Sequence, residues 1–283
     1  MREYRLGVPD FARWRRDCAE RGYTHVSNVK TQIESARSLL LRIAPCPPYA
    51  PTDEGVSISA FYVASNALYR AARRRGVSMP IKSLIAGYGI GAYGRNGVIA
   101  IPGIGSQFAA QAVESDEMPD ENFEWCEDRG FSAECERCDA CVAACPTRAL
   151  DGTGHVDIEK CLRAQASRGA MPEQSRALIE GDLWGCDICQ RVCPRNRDVG
   201  RTAMPEGLAD AISLKRLLAG DVGALGVWIG TNYARPARMQ ARACILAANL
   251  ERRDLIGEIR ALLSSESEAV CDCAGWALRK LEG

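Results

Sequence analysis

The chain has no net charge, because thirty-six lysines and arginines are balanced by thirty-six aspartates and glutamates. No global field therefore draws it to nucleic acid or to a membrane, and any such surface must be local. It also lacks a long apolar run. The opening MREYRLGVPDFARW has no apolar core of the kind a secretory signal needs, and no stretch reaches the length of a membrane span. The expected compartment is the cytoplasm, with no membrane partner. Histidine is down to His25 and His155. At 283 residues the chain is still long enough to bury a real core, as one large domain or two or three small ones.

Cysteine, by contrast, is abundant: fourteen in all, eight of them between residues 135 and 193. Cys135, Cys138, Cys141 and Cys145 form C-x2-C-x2-C-x3-C and are followed by Pro146. That is the bacterial ferredoxin run, in which the fourth thiolate ligates the other cluster, so one run implies a second. The second arrives as Cys186, Cys189 and Cys193 followed by Pro194, one member short. Two cubanes need eight thiolates, and Cys161, alone between the runs, completes the count. Two or three residues between cysteines let a tight loop fold around one cube, and a proline then turns the chain away with fixed φ and no N–H to satisfy. Structural zinc and a disulfide framework are the competing uses. A four-cysteine run ending in proline and repeated is not a zinc habit, and the cytoplasm keeps thiols reduced, so two 4Fe-4S clusters are the favoured reading.

Along the chain, Pro9 and Asp10 open an expected helix through Phe11, Trp14 and Cys18, ended by Gly22. Ser38–Ala44 reads as a buried strand stopped by the Pro45, Pro47, Pro48 cluster. Apolar positions Ile58, Phe61, Tyr62, Leu68, Tyr69 and Ala72 predict a long amphipathic helix to Arg75, with a shorter one from Ile81 to Ala86. The densest basic run, Arg70, Arg73, Arg74 and Arg75, reads as a solvated helix face ahead of a phosphate or tRNA contact. Gly89, Gly91 and Gly94 match G-x-G-x-x-G, yet they follow a helical stretch and lead into a short strand, Val98–Ile101. A dinucleotide fingerprint needs the reverse context. The glycines instead allow close approach of a flat or bulky cofactor, or make a compact turn. Gln107–Val113 is a strand or short helix, and the acidic stretch from Glu114 to Glu134 is a boundary. Cys126, within it, reads as a buried or incidental thiol. Leu208–Gly220 looks helical, followed by three helices with stripes at Met239, Ala243, Leu246 and Leu250, then Leu255, Ile259 and Leu262, then Val270, Ala274, Ala277, Leu278 and Leu281. Cys244, Cys271 and Cys273 among them are explained by packing. Short helices in series suggest a HEAT-like pair.

With these residues in place, the chain resembles the epoxyqueuosine reductase family, cobalamin-dependent enzymes with two 4Fe-4S clusters that complete the queuosine base in tRNA. The likeness is tightest over CERCDACVAACPTRAL (135–150), VDIEKC (156–161), Met171-Pro172 and GCDICQRVCPRN (185–196). It is looser over GIGAYGRNGVIAIPGIGS (89–106), SARSLLLRIAPCPPY (35–49) and ISAFYVASNALYRAARR (58–74). The resemblance implies an α+β chain of three parts: a small α/β cobalamin-type domain at 1–125, a ferredoxin-like double-cluster domain at 126–205 and a HEAT-like helical tail at 206–283. It implies that Cys135, Cys138, Cys141 and Cys193 hold one cluster and Cys145, Cys161, Cys186 and Cys189 the other, with Gly89, Gly91, Gly94, Arg95 and Asn96 binding cobalamin. A low-potential donor such as ferredoxin or flavodoxin and a tRNA substrate are the implied partners. Three departures stand out. The family's acidic proton donor falls where this chain reads Arg75-Gly-Val-Ser-Met-Pro80, without an aspartate; the lysine of the glycine loop is Arg95, which keeps charge but not geometry; and the front is abbreviated. Neither histidine lies in an Asp-x-His-x-x-Gly context, so a cobalamin would bind with its base detached. Tyr88, Tyr93, Glu114 and Asp116 are candidates to replace the acid. Two alternatives stand beside the reductase: a double-cluster electron relay feeding a partner protein, and a corrinoid reductase acting on another electrophile.

Overall fold

The computed structural model describes residues 1–8, 16, 19, 36–72, 80–125, 131, 133–167 and 171–283. The helix expected between Pro9 and Gly22, the run Arg73–Arg75, most of the Arg75–Pro80 stretch and Cys126 lie outside the described residues.

The front of the chain is built on an antiparallel sheet in which β2 (Ser38–Pro45) runs between β1 (Arg2–Leu6) and β6 (Phe108–Ser115). Leu39 pairs with Leu6 on one side and Glu114 on the other, and Ile43 with Arg2 and Ala110. The apolar run SLLLRIA is thus resolved into alternation: Leu39, Leu41 and Ile43 are fully buried, while Leu40 and Arg42 are only partly so. Burying such side chains is worth about 1.5–3 kcal/mol each. Strand β1 was not legible in the sequence, because Arg2, Glu3 and Arg5 hide its single buried residue, Leu6, behind an edge-strand pattern.

Two helices pack on this sheet. Helix α1 (Ala60–Ala71) lies on β6 and β2, and α2 (Ile81–Gly87) joins Leu39, Leu41 and Ile43 in one core through Leu84 and Ile85. The glycine-rich stretch after α2 folds as a hairpin, β4 (Ala92–Tyr93) against β5 (Ile99–Ala100), shorter than the strand expected at Val98–Ile101. Gln107–Val113 resolves as strand.

The chain then enters the cysteine segment and is sewn back at both ends. The short strand β3 (Ser57–Ile58) pairs in parallel with β7 (Asp182–Trp184), and Tyr49 bridges to Thr202. Helices α3 (Ala133–Glu136), α4 (Ala140–Ala144), α5 (Leu162–Ser167), α6 (Glu173–Arg176) and α7 (Ile188–Arg191) are all short, as expected where the chain must turn around a bound group.

The C-terminal part is helical. The single helix expected at Leu208–Gly220 is instead α8 (Glu206–Ala211) and α9 (Leu214–Leu218). Ser213 precedes the second, and the Glu54 carboxylate accepts a hydrogen bond from the Leu214 N–H at 3.1 Å. An acid 160 residues away in sequence thus satisfies a helix start that no local pattern announces. Helix α10 (Gly223–Ile229), absent from the sequence reading, follows, and then the three expected stripes resolve as α11 (Pro236–Asn249), α12 (Ile256–Ala261) and α13 (Glu268–Glu282). Pro236 sits in the first turn of α11, where its missing N–H costs nothing. Met239, Ala243, Leu246, Val270, Ala274 and Ala277 are fully buried, as are Cys244 and Cys273. These helices share one continuous core with Val56, Ile58, Leu183 and Trp184.

Candidate iron–sulfur site and its cleft

The two cysteine runs are brought face to face because α4 packs against α7. Cys135 lies in α3 and Cys141 in α4, with Cys138 in the turn between them, and Cys145 ends α4. In the second run Cys186 precedes α7, Cys189 lies within it, and Cys193 leads into the turn opened by Pro194. Cys161 stands just ahead of α5, its N–H donating to the Asp157 carbonyl at 2.9 Å.

The sulfurs sort into two sets that cross the runs. Cys135, Cys138, Cys141 and Cys193 line one cavity, together with Gly94, Arg95, Asn96 and Arg195. Cys161, Cys186 and Cys189 line a second, larger cleft of about 570 Å³. Cys145 borders neither cavity; its Sγ accepts from the Ala149 N–H at 3.3 Å. Electrostatics couples the sulfurs within each set and also joins the sets, since Cys141 adds to the upward shift of Cys189. Burial pushes the Cys141 and Cys193 thiols up, with Cys135 adding to both. Burial likewise carries Cys186 to about 11 and Cys189 to about 12, with Cys161 adding to both. Thiolates so placed are costly unless a metal takes up their charge. Among the described residues no three His, Cys, Asp or Glu side chains converge where one ion could sit.

The glycine loop is used differently from the expectation that its glycines face a cofactor. A Cβ on Gly91 would lie 2.8 Å from the Ala100 carbonyl oxygen, and one on Gly94 2.8 Å from Asn96 Oδ1. Those glycines close the hairpin on itself. Gly89 and Gly91 border neither cysteine-lined cavity, while Gly94 and Arg95 border the first and Asn96 borders both. Arg95 is turned onto the first cysteine run: its guanidinium lies 2.7 Å from Asp139 and donates to the Gly152 carbonyl at 2.8 Å.

The cleft beside the second set has apolar walls from Phe61, Ile81, Ile85, Val98 and Phe108, with Lys82, Arg163, Gln107 and Cys46 among its polar groups. Lys82 donates to the Gly97 carbonyl at 2.9 Å. Arg163 lies 3.3 Å from Asp187. Burial pushes the Cys46 thiol up to about 12, so it stays protonated at neutral pH. None of the four candidate acids borders the cleft. The Tyr88 hydroxyl donates to the Gly7 carbonyl, Tyr93 is buried in the front core, and Glu114 lies in β6 opposite Leu39, with Asp116 just past the strand end. Sequence reasoning missed Cys46, Lys82 and Arg163. Only Arg163 left a signal, lying two residues after Cys161.

Residues 134–196 match the 4Fe-4S double cluster binding domain. Among curated proteins, the epoxyqueuosine reductase of Lactococcus garvieae is 30% identical over 209 residues, covering 69% of this chain and 56% of that protein. That of Staphylococcus aureus is 37% identical over 113 residues, or 39% of this chain and 28% of that one. The chain thus spans about half the length of the first of these and less of the second. The solved structure of epoxyqueuosine reductase from Streptococcus thermophilus superposes with a TM-score of 0.73 at 21% identity, over 99% of this chain and 86% of that one. A crystal structure of epoxyqueuosine reductase with an epoxyqueuosine-modified tRNA-Tyr stem loop gives 0.69 at 20% identity, with the same coverage of both chains. The chain is thus similar in sequence to epoxyqueuosine reductases over part of their length, matches a double-cluster domain over 134–196 and shares the mixed helix and strand fold of those structures.

Proposed function

We propose that this chain is an iron–sulfur oxidoreductase of the epoxyqueuosine reductase type, removing oxygen reductively from a modified base in tRNA. The observation that carries this is the open cleft beside Cys161, Cys186 and Cys189. An electron relay needs a cluster close to the surface; it has no use for a cavity of about 570 Å³, which is within the ordinary range for a ligand site.

In this reading Cys135, Cys138, Cys141 and Cys193 hold one 4Fe-4S cluster, and Cys145, Cys161, Cys186 and Cys189 hold the other. The front α/β domain over 1–125 and the cluster domain over 126–205 form the cleft, and the HEAT-like tail over 206–283 backs the cluster domain. The cleft suits a corrinoid: its walls are largely apolar, and no carboxylate borders it among the described residues. Cobalamin, when bound, supplies a strongly nucleophilic cobalt. The chain's own residues would exclude water through Phe61, Ile81 and Ile85 and hold protons at the Cys46 Sγ and Lys82 Nζ for the leaving oxygen. Electrons would come from a low-potential donor such as ferredoxin or flavodoxin, passing through the two clusters. Among the described residues no helix is long and apolar enough to cross a membrane, which accords with a cytoplasmic setting.

Anaerobic reconstitution with iron, sulfide and cobalamin tests this, with iron and cobalt counted in the gel-filtration peak. Eight irons and one cobalt per chain support the corrinoid reductase, and turnover on epoxyqueuosine-containing tRNA then follows. Irons without cobalt would replace it with the electron relay. Within the same assay, Cys161→Ala is expected to keep about half the iron, since one of two 4Fe-4S clusters loses a corner. Full iron retention in that variant would remove Cys161 from the ligand set.

A further inference from the structure

The two C-x2-C turns share a residue that cluster ligation does not require. Asp139 follows Cys138 in Cys-Asp-Ala-Cys, and Asp187 follows Cys186 in Cys-Asp-Ile-Cys. Each aspartate sits at the start of the short helix behind it in nearly the same conformation, φ −111 and ψ 8 for Asp139 and φ −114 and ψ 17 for Asp187. Each is met by an arginine from another element. Arg95 Nη1 lies 2.7 Å from Asp139 Oδ1, and Arg163 Nη1 lies 3.3 Å from Asp187 Oδ1. The same charge pair is thus attached at the same place in each turn.

The surroundings differ. The Asp139 side chain is 68% exposed and that of Asp187 only 11%. The Arg163 guanidinium carbon lies 4.7 Å from the Phe61 ring centre and 5.0 Å from that of Tyr62. Arg163 follows Cys161 by two residues, and its side chain lines the cleft with Cys161 and Cys189. Arg95 borders the first cavity and also donates to the Cys138 carbonyl at 3.5 Å.

Reducing a cubane by one electron adds a negative charge, so a cation beside it favours the reduced form and an anion opposes it. Water and ions screen such effects at the surface and far less inside. Removing Arg95 takes the counter-charge from Asp139, and removing Arg163 leaves Asp187 with only a neutral partner, the Gln190 side-chain amide that donates to its Oδ1 at 2.8 Å. The two arginine side chains are about equally exposed, at 24% for Arg95 and 29% for Arg163, so the difference lies in the carboxylates: water screens Asp139 at the first turn and far less of it reaches Asp187 at the second.

The geometry points to the Arg163–Asp187 pair as the control of the second cluster's reduction potential, with Arg95–Asp139 as its solvent-screened counterpart at the first. Arg163 acts as a positioning charge that keeps the cluster beside the cleft reducible. The inference rests on the crossed ligation proposed above.

The test is a redox titration of the anaerobically reconstituted protein, followed by electron paramagnetic resonance, with iron counted in every sample. Cys161→Ala, which retains the first cluster, assigns the signals. Arg163→Gln is expected to shift the second cluster's reduction equilibrium at least tenfold towards the oxidised form, about 59 mV for one electron, and to leave the first in place. Arg163→Lys should recover most of that shift, and Asp187→Asn should shift the same cluster the other way. Arg95→Gln should move the first cluster several-fold less. Full iron with unchanged midpoints in Arg163→Gln overturns the proposal, as does equal behaviour of Arg163→Lys and Arg163→Gln, or an Arg95→Gln effect as large as that of Arg163→Gln. If Arg163→Gln loses iron, Asp187→Asn decides, and an unmoved midpoint there is a refutation. A shortfall below eight irons in the unaltered protein is a separate result that counts against the ligation itself.

Discussion

At the join between the cysteine segment and the C-terminal helices a buried arginine pairs with a half-exposed carboxylate, and the two members of the pair respond unequally to removal. The Arg176 side chain is 3% exposed. Its Nη2 meets the Asp272 carboxylate in α13, its Nε donates to the Met171 carbonyl at 3.1 Å, and it lies 5.8 Å from the Trp276 ring centre. Asp272→Ala leaves the guanidinium buried without its counter-charge. Breaking a fully buried pair this way costs about 3–5 kcal/mol, and because the Asp272 side chain is 50% exposed we take about 2 kcal/mol. Arg176→Met removes the ion instead, and the half-exposed carboxylate takes up water. The lost charged hydrogen bonds, about 1.5–3 kcal/mol, are then offset by the desolvation no longer required, for a net cost under about 1 kcal/mol. Urea unfolding of the cluster-loaded protein, with iron release as a second signal, measures both. With a slope of about 3 kcal/mol per molar the two variants should differ by a few tenths molar in midpoint. An Arg176→Met protein as unstable as Asp272→Ala, or more so, would refute the reasoning.

Gly105→Ala should destabilise by about 2 kcal/mol or more: the residue has φ +72, and its Cβ would fall 2.7 Å from the Arg195 carbonyl oxygen and closer still to Asn196 Oδ1. Loss of cluster absorbance at lower temperature reports it. Cys46, with its thiol raised by burial from the ordinary 9.0 to about 12, should resist alkylation in the native protein at about pH 8 and react once the chain is unfolded. The sign of the linkage follows: the proton is held more tightly folded than unfolded, so this stabilisation is whole below pH 9.0 and is lost between there and about 12. Native-state labelling of Cys46, read by mass spectrometry, would contradict its burial. Cys126→Ala should leave iron content unchanged, because the eight ligands proposed for the two clusters are all at other positions; iron lost from that variant would add Cys126 to the set.

The cysteine module was legible because metal ligation leaves its requirement in the spacing itself, and residues 134–196 match a double-cluster domain. The stripes of α11 and α13 were legible for the same kind of reason, one buried face repeating along each helix. What could not be read was anything settled between distant residues. The break between α8 and α9 is answered by Glu54, β1 has a single buried residue, and Cys46, Lys82 and Arg163 meet only once the cleft exists. The glycine loop looked like a cofactor surface because a tight hairpin and a close approach require the same residue type. The acid candidates were chosen for chemistry alone, and the fold uses Tyr88 to anchor Gly7.

The core that joins Val56, Ile58 and Tyr62 to residues from Leu162 to Leu281 sets a lower limit on how small a working piece of this protein can be. Residues 134–196 contain every expected iron ligand, yet Leu183 and Trp184, next to Cys186, are covered by side chains that come after residue 205 and before residue 63. A fragment trimmed to the recognisable cluster segment would present those residues to water and lose the strand pairing of Asp182 and Trp184 with Ser57 and Ile58. The excisable unit is therefore defined by hydrophobic contact, and it reaches well beyond the cluster segment into the C-terminal helices and back to Val56.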